Sequence, residues 1–430
     1  MDKISTKQKT GLRGEIEIPS DKSVSHRSII IPSLIKGGKY RVFNFSKGKD
    51  CISTLNLYKN LGIEIKYLDE KTLEINLPDK LTNKTKELFC GNSGTTMRLT
   101  SGVLAGQNFI SVLTGDESLS KRTMKRIIEP LTQMGADITS ENNTAPLTIK
   151  GTDKLKGIVY NSPLASAQVK SCILLAGLNA DGKTTYTENF ISRNHTENML
   201  KYLGSEILTE TTDKYSVTVQ KSEMKAKDIY VPGDISSAAF FIVAALITPD
   251  SDIILKNVGL NPTRDGIINV AKRMGANIEI LDKKDLSGEQ IGDIRVRYSD
   301  NLKSTEISKN EIPALIDELP VIAVLATQAE GTTVIKDATD LRNKETDRIT
   351  TTVNELKKLG ADIEEREDGF IINGKTSLKG GAELNSYKDH RLAMSFYVAG
   401  LICEQDVLIK DFEWVNISFP EFEELITRLK

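Results

Sequence analysis

One six-residue phrase returns five times along the chain, as NLGIEI from Asn60, QMGADI from Gln133, YLGSEI from Tyr202, RMGANI from Arg273 and KLGADI from Lys358, at intervals of about 70 to 85 residues. Each phrase follows an amphipathic run and precedes a β-type run. Gly62, Gly135, Gly204, Gly275 and Gly360 therefore read as residues just past a helix end, where a left-handed backbone favours glycine. A second element recurs upstream, a short polar cluster that opens an apolar helical run. The openers are Ser20-Asp21-Lys22-Ser23, Asn92-Ser93-Gly94-Thr95, Ser166-Ala167-Gln168, Asp234-Ile235-Ser236-Ser237, Asp317-Glu318 and Asp389-His390-Arg391. Their side-chain oxygens suit the unpaired N–H groups of a first helical turn.

A chain of 430 residues exceeds the size at which one core stops growing, so two domains of roughly 200 residues are expected. Six units then divide three and three, with a break suggested at VPGD from Val231. The pattern gives an α/β fold of recurring helix–strand–helix–strand units and leaves the strand order open. Repeated helix starts are also repeated anion sites, because first-turn N–H groups and the positive end of the helix dipole favour phosphate or carboxylate.

The formal net charge is −2 with acids and bases interspersed, so no global field favours nucleic acid or an anionic membrane. Any basic site must be local. Cys51, Cys90, Cys172 and Cys403 form no metal-binding spacing and read as buried thiols in a reducing compartment. No signal or transit peptide is evident at the N-terminus, and Ala238–Thr248, the most apolar stretch, reads as a core helix.

Several openers carry charge suited to anions. SDKSVSHR sets Lys22, Ser23 and Arg27 near one helix start, a combination fit for a phosphomonoester, with His26 beside them as a structural hydrogen-bonding residue. GNSGTTMRL, Gly91–Leu99, is a glycine-rich turn with hydroxyls and Arg98, but it lacks the Lys-Ser/Thr ending of a nucleotide loop. GDESLSKRTM places Lys121 and Arg122 at the start of the helix before QMGADI. LRNKETDRI carries Lys344, Glu345, Asp347 and Arg348. If that segment is helical, Lys344 and Arg348 share a face at i, i+4 and leave a gap for an anion or acid between them.

Taken in order, SDKSVSHR, GNSGTTMRL, GDESLSKR, SAQVKS, SRNHTE, VPGDISSA, LRNKETDR, KDHRLAMSF and ISFPEF resemble the signature set of 5-enolpyruvylshikimate-3-phosphate synthases, from about Gly14 to about Leu425. The resemblance implies the two-domain enolpyruvyl transferase fold, an inside-out α/β barrel of six βαβαββ repeats. One domain would hold residues 1–19 plus 232–430 and the other residues 20–231, with the active site in the cleft between them. It also implies transfer of the enolpyruvyl group of phosphoenolpyruvate to the 5-hydroxyl of shikimate 3-phosphate, by addition and then elimination of phosphate.

By the same resemblance, shikimate 3-phosphate would be held by Lys22, Ser23, Arg27, Ser166, Ala167, Gln168, Arg193, Asp317 and Lys344. Phosphoenolpyruvate would be held by Lys22, Gly94, Arg122, Gln168, Arg348 and Arg391. Asp317, Glu345 and Lys22 would carry the catalytic proton transfers. No cofactor, metal, nucleic acid or membrane is implied, and a cytoplasmic monomer is expected. Two departures stand out: Ile417 replaces a lysine that many members place before Ser/Thr-Phe-Pro, and Asp340 replaces an asparagine of some members. Rival readings are a transferase acting on UDP-N-acetylglucosamine, whose reactive cysteine is absent from the Gly115–Arg122 loop, and a non-catalytic anion-binding repeat protein.

Overall fold

The computed structural model describes every residue from Met1 to Lys430. The chain divides into two compact units, the first formed by Met1–Pro19, Gly233–Lys284 and Gln290–Lys430, the second by Ser20–Pro232 with Asp285–Glu289. The second unit holds helices α1 (Lys22–Ile30), α2 (Lys49–Asn60), α3 (Gly94–Ala105), α4 (Glu117–Ser120), α5 (Lys125–Gln133), α6 (Ala167–Gly177) and α7 (His195–Leu203). The first unit holds α8 (Ile235–Ile247), α9 (Gly266–Arg273), α10 (Ile312–Leu315), α11 (Leu319–Thr327), α12 (Arg348–Lys358), α13 (His390–Gly400) and α14 (Phe422–Arg428).

Five four-stranded sheets and one three-stranded sheet complete the fold, and the four-stranded ones share a plan. In one of them the strands lie in the order Leu88–Phe89, Ile110–Thr114, Leu147–Lys150, Asp137–Thr139; the first pair is parallel and the rest antiparallel. A parallel pair requires a crossover and an antiparallel pair closes as a hairpin. The chain therefore runs strand, α3, strand, α5, hairpin, which is the βαβαββ unit that the repeat phrase marks. The three-stranded sheet joins Lys3–Ser5 antiparallel to Val407–Lys410, which pairs in parallel with Glu383–Asn385.

The repeat glycines do what the spacing predicts: Gly62, Gly135, Gly204, Gly275 and Gly360 all have φ between +90° and +96°. The most apolar segment, α8, is buried at every position but Ser237, and all of α11 is buried. A helix apolar on all sides has no solvated face and belongs inside a core. In the second unit α3 and α6 approach so closely that a Cβ on Gly102 would lie 2.1 Å from the Cys172 carbonyl oxygen. Only glycine permits that contact. No helix is long and apolar enough to cross a membrane.

Candidate active site

Within each unit the buried helices bring their N-termini together. Asp21 caps α1, Ser93 caps α3, Ser166 caps α6, Asp234 caps α8 and Asp389 caps α13, each accepting first-turn N–H groups. The fifth opener departs from expectation. Asp317 and Glu318 lie in a 3-10 turn before α11, and neither caps it with its side chain. Their carboxylates are engaged by cations and a hydroxyl instead, as described below.

In the second unit, Lys22 opens α1 and forms an ion pair with Asp50 in the first turn of α2. Burial works to raise the Asp50 pKa, but Lys22 outweighs it and holds the carboxyl below its usual value. Gly94 starts α3 between two guanidinium groups: a Cβ there would lie 3.1 Å from Arg98 Nη1 and 3.8 Å from Arg122 Nη1. Arg98 donates to Gln168 Oε1 at 2.5 Å, Gln168 Nε2 donates to Thr95 Oγ1 at 2.9 Å, and Arg122 donates to Asn92 Oδ1 at 3.1 Å. Burial, and then repulsion from Arg122 and Arg126, pushes Arg98 down to about 10. Glycine, two cations and an amide thus surround one helix start, and such a place stabilises an added anion.

Arg27 is a brace as much as a binding group. It is 2% exposed and donates to Thr196 Oγ1 at 2.7 Å, Ser171 Oγ at 2.9 Å and the Ser23 carbonyl at 3.0 Å. Ser23, Ser166, Ala167 and Gln168 are half-buried at the starts of α1 and α6, and Arg193 lies in the loop before α7. Arg122 does not open a helix as expected. It follows the short α4, whose cap is Asp116, and α5 begins at Lys125.

In the first unit, the expected i, i+4 pair is not on one helix. Asp347 caps α12, so the helix begins at Arg348, and Lys344 sits beyond it in extended backbone. The gap between the two cations is nevertheless real, and Asp317 fills it, with Oδ1 3.2 Å from Lys344 Nζ and 3.5 Å from Arg348 Nη1. Arg348 is 1% exposed and is held by three carboxylates: Asp389 at 2.7 and 3.2 Å, Glu345 at 2.6 Å, and Asp317. Those acids hold its pKa above the ordinary value against burial. In this arrangement its partners are acids of its own unit, where the resemblance implied phosphoenolpyruvate. Partial burial raises the Glu345 pKa, but Arg348, then His390, outweigh it and bring it down to about 2. Burial, with Arg391 adjacent, lowers His390 to about 4, so that ring is neutral near pH 7 and carries charge only in the acid range where Glu345 titrates.

Arg391 donates to the Asp317 carbonyl at 3.3 Å and lies 3.7 Å from Glu318 Oε1. Glu318 accepts the Ser236 hydroxyl, so the starts of α8, α11 and α13 meet. Ile417 ends a 3-10 turn, Phe412–Ile417, and supplies no charge; Lys388 lies over the nearby Trp414 ring, 5.6 Å from its centroid. Asp340 is exposed. The sequence singles out Asp50 nowhere and gives Arg98, Glu318 and Asp389 only as members of a loop or helix opener with no contact assigned, since their partners here come from other segments. No cluster of three or more His, Cys, Asp or Glu side chains could hold a metal ion.

The sequence model of the family described as EPSP synthase (3-phosphoshikimate 1-carboxyvinyltransferase) matches residues 6–426. The chain belongs to the EPSP synthase family. A 3-phosphoshikimate 1-carboxyvinyltransferase from Thermodesulfovibrio yellowstonii is 52% identical over 437 residues, covering 100% of both chains. Another, from Petrotoga mobilis, is 49% identical over 432 residues, covering 100% of this chain and 99% of that protein. An EPSP synthase structure from Acinetobacter baumannii aligns over 100% of this chain and 98% of its own, with a TM-score of 0.91 and 43% identity. EPSP synthase membership agrees with the repeated units and with the signature segments that carry these helix starts.

Proposed function

We propose that this chain transfers the enolpyruvyl group of phosphoenolpyruvate to the 5-hydroxyl of shikimate 3-phosphate and releases phosphate. The observation that carries the reading is the set of clustered helix starts bearing Lys22, Gly94, Arg122 and Gln168 in one unit and Asp317, Lys344, Glu345, Arg348 and Arg391 in the other. Two phosphorylated substrates and a carboxylate need such cations, and charge-assisted bonds contribute about 1.5–3 kcal/mol each. Ser23, Arg27, Ser166, Ala167 and Arg193 complete the proposed shikimate 3-phosphate contacts.

In the addition step the 5-hydroxyl bonds to C2 of the enol while C3 gains a proton. In the elimination step the methyl carbon loses a proton and the C2–O bond to phosphate breaks. Asp317 is assigned to take the hydroxyl proton. Glu345 and Lys22 are assigned the proton exchange around the methyl carbon and the departing phosphate: Lys22, as an ammonium, suits giving the proton that C3 gains, and Glu345, held as a carboxylate by Arg348, suits taking one back from the methyl carbon as phosphate leaves. Each such transfer contributes about 10² to 10⁴ in rate. We take the enzyme to act as a cytoplasmic monomer; gel filtration with light scattering checks the second half of that statement.

The direct test is phosphate release from phosphoenolpyruvate with shikimate 3-phosphate as acceptor. Release that depends on both substrates is the expected result. No release with both present rejects the reading, and release with a UDP-amino sugar in place of shikimate 3-phosphate would favour the related transferase.

A further inference from the structure

His26 lies in the middle of α1, 0% exposed, one residue before Arg27 and four after Lys22. Its ring opens a line of four polar groups that crosses three helices. Nδ1 is 2.6 Å from Thr54 Oγ1 on α2; Thr54 Oγ1 is 2.6 Å from Thr96 Oγ1 on α3; and Thr96 donates its hydroxyl to Ser93 Oγ at 2.7 Å. Ser93 Oγ also accepts the Thr96 N–H at 3.1 Å, the bond that caps α3. Thr54 and Thr96 are 0% exposed and Ser93 is 1% exposed, so water cannot substitute for a missing partner.

The proton count fixes the direction of this line. A hydroxyl has one proton to donate. Thr96 gives its proton to Ser93, so Thr54 must supply the one shared with Thr96. The other acceptor near Thr54, the Asp50 carbonyl, is farther away at 3.5 Å. Thr54 then has no proton left for the ring, and His26 must donate from Nδ1. That tautomer leaves a bare lone pair at Nε2, the atom with no hydrogen-bond partner. A buried lone pair on a neutral ring costs less than a buried orphan N–H or a buried charge. Burial, then Lys22, pushes the ring down to about 3, which keeps it neutral throughout the working range.

We infer that His26 is a positioning residue for the phosphoenolpyruvate end of the reaction: acting through Thr54 and Thr96, it fixes Ser93 and hence the first turn of α3. The α2 helix carries both connections, since Asp50 holds Lys22 and Thr54 holds Thr96. The Ser93 cap takes up the Thr96 N–H, while helix geometry leaves the N–H groups of Gly94 and Thr95 without intrahelical partners. Their direction relative to Lys22 is therefore set by the His26 line. This inference rests on the proposed function for its kinetic part, and its proton direction stands apart from it.

The test uses the full chain with His26→Leu, His26→Asn and Thr54→Val. His26→Asn keeps an N–H donor near the Nδ1 position, and Thr54→Val cuts the line with little change of volume. The expected result for His26→Leu and Thr54→Val is a rise of about tenfold in KM for phosphoenolpyruvate, with KM for shikimate 3-phosphate changed by less than about twofold. His26→Asn should recover most of the loss. Equal changes in both KM values, or none in a folded variant, would overturn the inference; if His26→Leu does not fold, Thr54→Val decides. Imidazole 15N spectra of the chain, which has three histidines, should show one ring with its proton on Nδ1 that does not titrate between pH 8 and 5, and His26→Asn should remove that signal. A proton on Nε2 would also overturn it. If the parent shows no transfer at all, the functional reading fails and the spectra alone decide the His26 line.

Discussion

Asp317 is the residue on which most of the first unit's site chemistry converges. It lies within ion-pair reach of both Lys344 and Arg348, and its carbonyl accepts from Arg391. Replacing it with asparagine keeps the shape and removes both the proton acceptor and the negative charge between two cations. Asp317→Asn is expected to lower kcat for phosphate release by about 10² to 10⁴, while its circular dichroism matches the parent. Parent-like kcat would remove Asp317 from the role of base. Glu345 supports a second prediction. Its pKa falls from 4.5 to about 2 on folding, so its contribution to stability is full above pH 4.5 and is lost as pH drops through that window toward 2. Glu345→Gln should therefore flatten the loss of stability between pH 4.5 and 2, measured by urea unfolding at several pH values. An unchanged slope would mean that Arg348 does not hold Glu345 as described.

At the scale of elements, α6 carries a buried charge that the proposed chemistry leaves unused. Lys170 is 0% exposed, lies 2.9 Å from Glu188 and 2.8 Å from Glu197, and donates to the Ser192 carbonyl at 2.9 Å. Glu188 in turn accepts from the Ser192 N–H at 2.8 Å, so the loop that leads to Arg193 is fixed from both ends of one ion pair. Removing one partner of such a buried pair costs about 3–5 kcal/mol, because an uncompensated charge remains. Lys170→Met should lower the urea midpoint accordingly and raise KM for shikimate 3-phosphate; an unchanged midpoint would show that the two glutamates find other partners. The α3–α6 contact gives a fourth expectation. Gly102→Ala puts a methyl against the Cys172 carbonyl and should cost about 1–3 kcal/mol or more, read as a lower Tm.

These same elements show what local sequence reveals. The stop glycines and five of the six caps were legible because each follows from a rule acting over a few residues. The fifth opener was misread as a cap because an aspartate at a helix start can serve the backbone or a distant cation, and Lys344 and Arg348 decide that from outside the segment. The i, i+4 reading of Lys344 and Arg348 failed for a similar reason: Asp347 starts the helix between them. Lys170 gives no local sign of burial, since Glu188 and Glu197 come from later strands and helices. For His26 the sequence gives a structural hydrogen-bonding residue but not its partners, because Thr54 meets the ring, and Thr96 meets Thr54, only after α2 and α3 are packed.

At the scale of the whole molecule, each unit has its own continuous hydrophobic core, one centred on α8, α11 and α13 and the other on α1, α3 and α6. Two cores of this size need not melt as one, and chains with more than one domain commonly depart from two-state behaviour. Scanning calorimetry is therefore expected to give a calorimetric enthalpy larger than the van't Hoff enthalpy. Equal values would show that the cores unfold as a single cooperative block.

The division of the chain also sets an order of events on the ribosome. The first unit begins at Met1 but receives the rest of its residues only after Pro232, so its Arg13–Glu17 strand emerges long before Asp252–Gly259, the strand it pairs with in parallel. The second unit, complete by Pro232 except for the Asp285–Glu289 tip, can fold while the roughly 200 residues that follow it here are made, on the order of 10–40 s of synthesis. The nascent chain thus carries Arg13–Glu17 without its parallel partner until Asp252–Gly259 has been made, by which time nearly all of the second unit has already been synthesised.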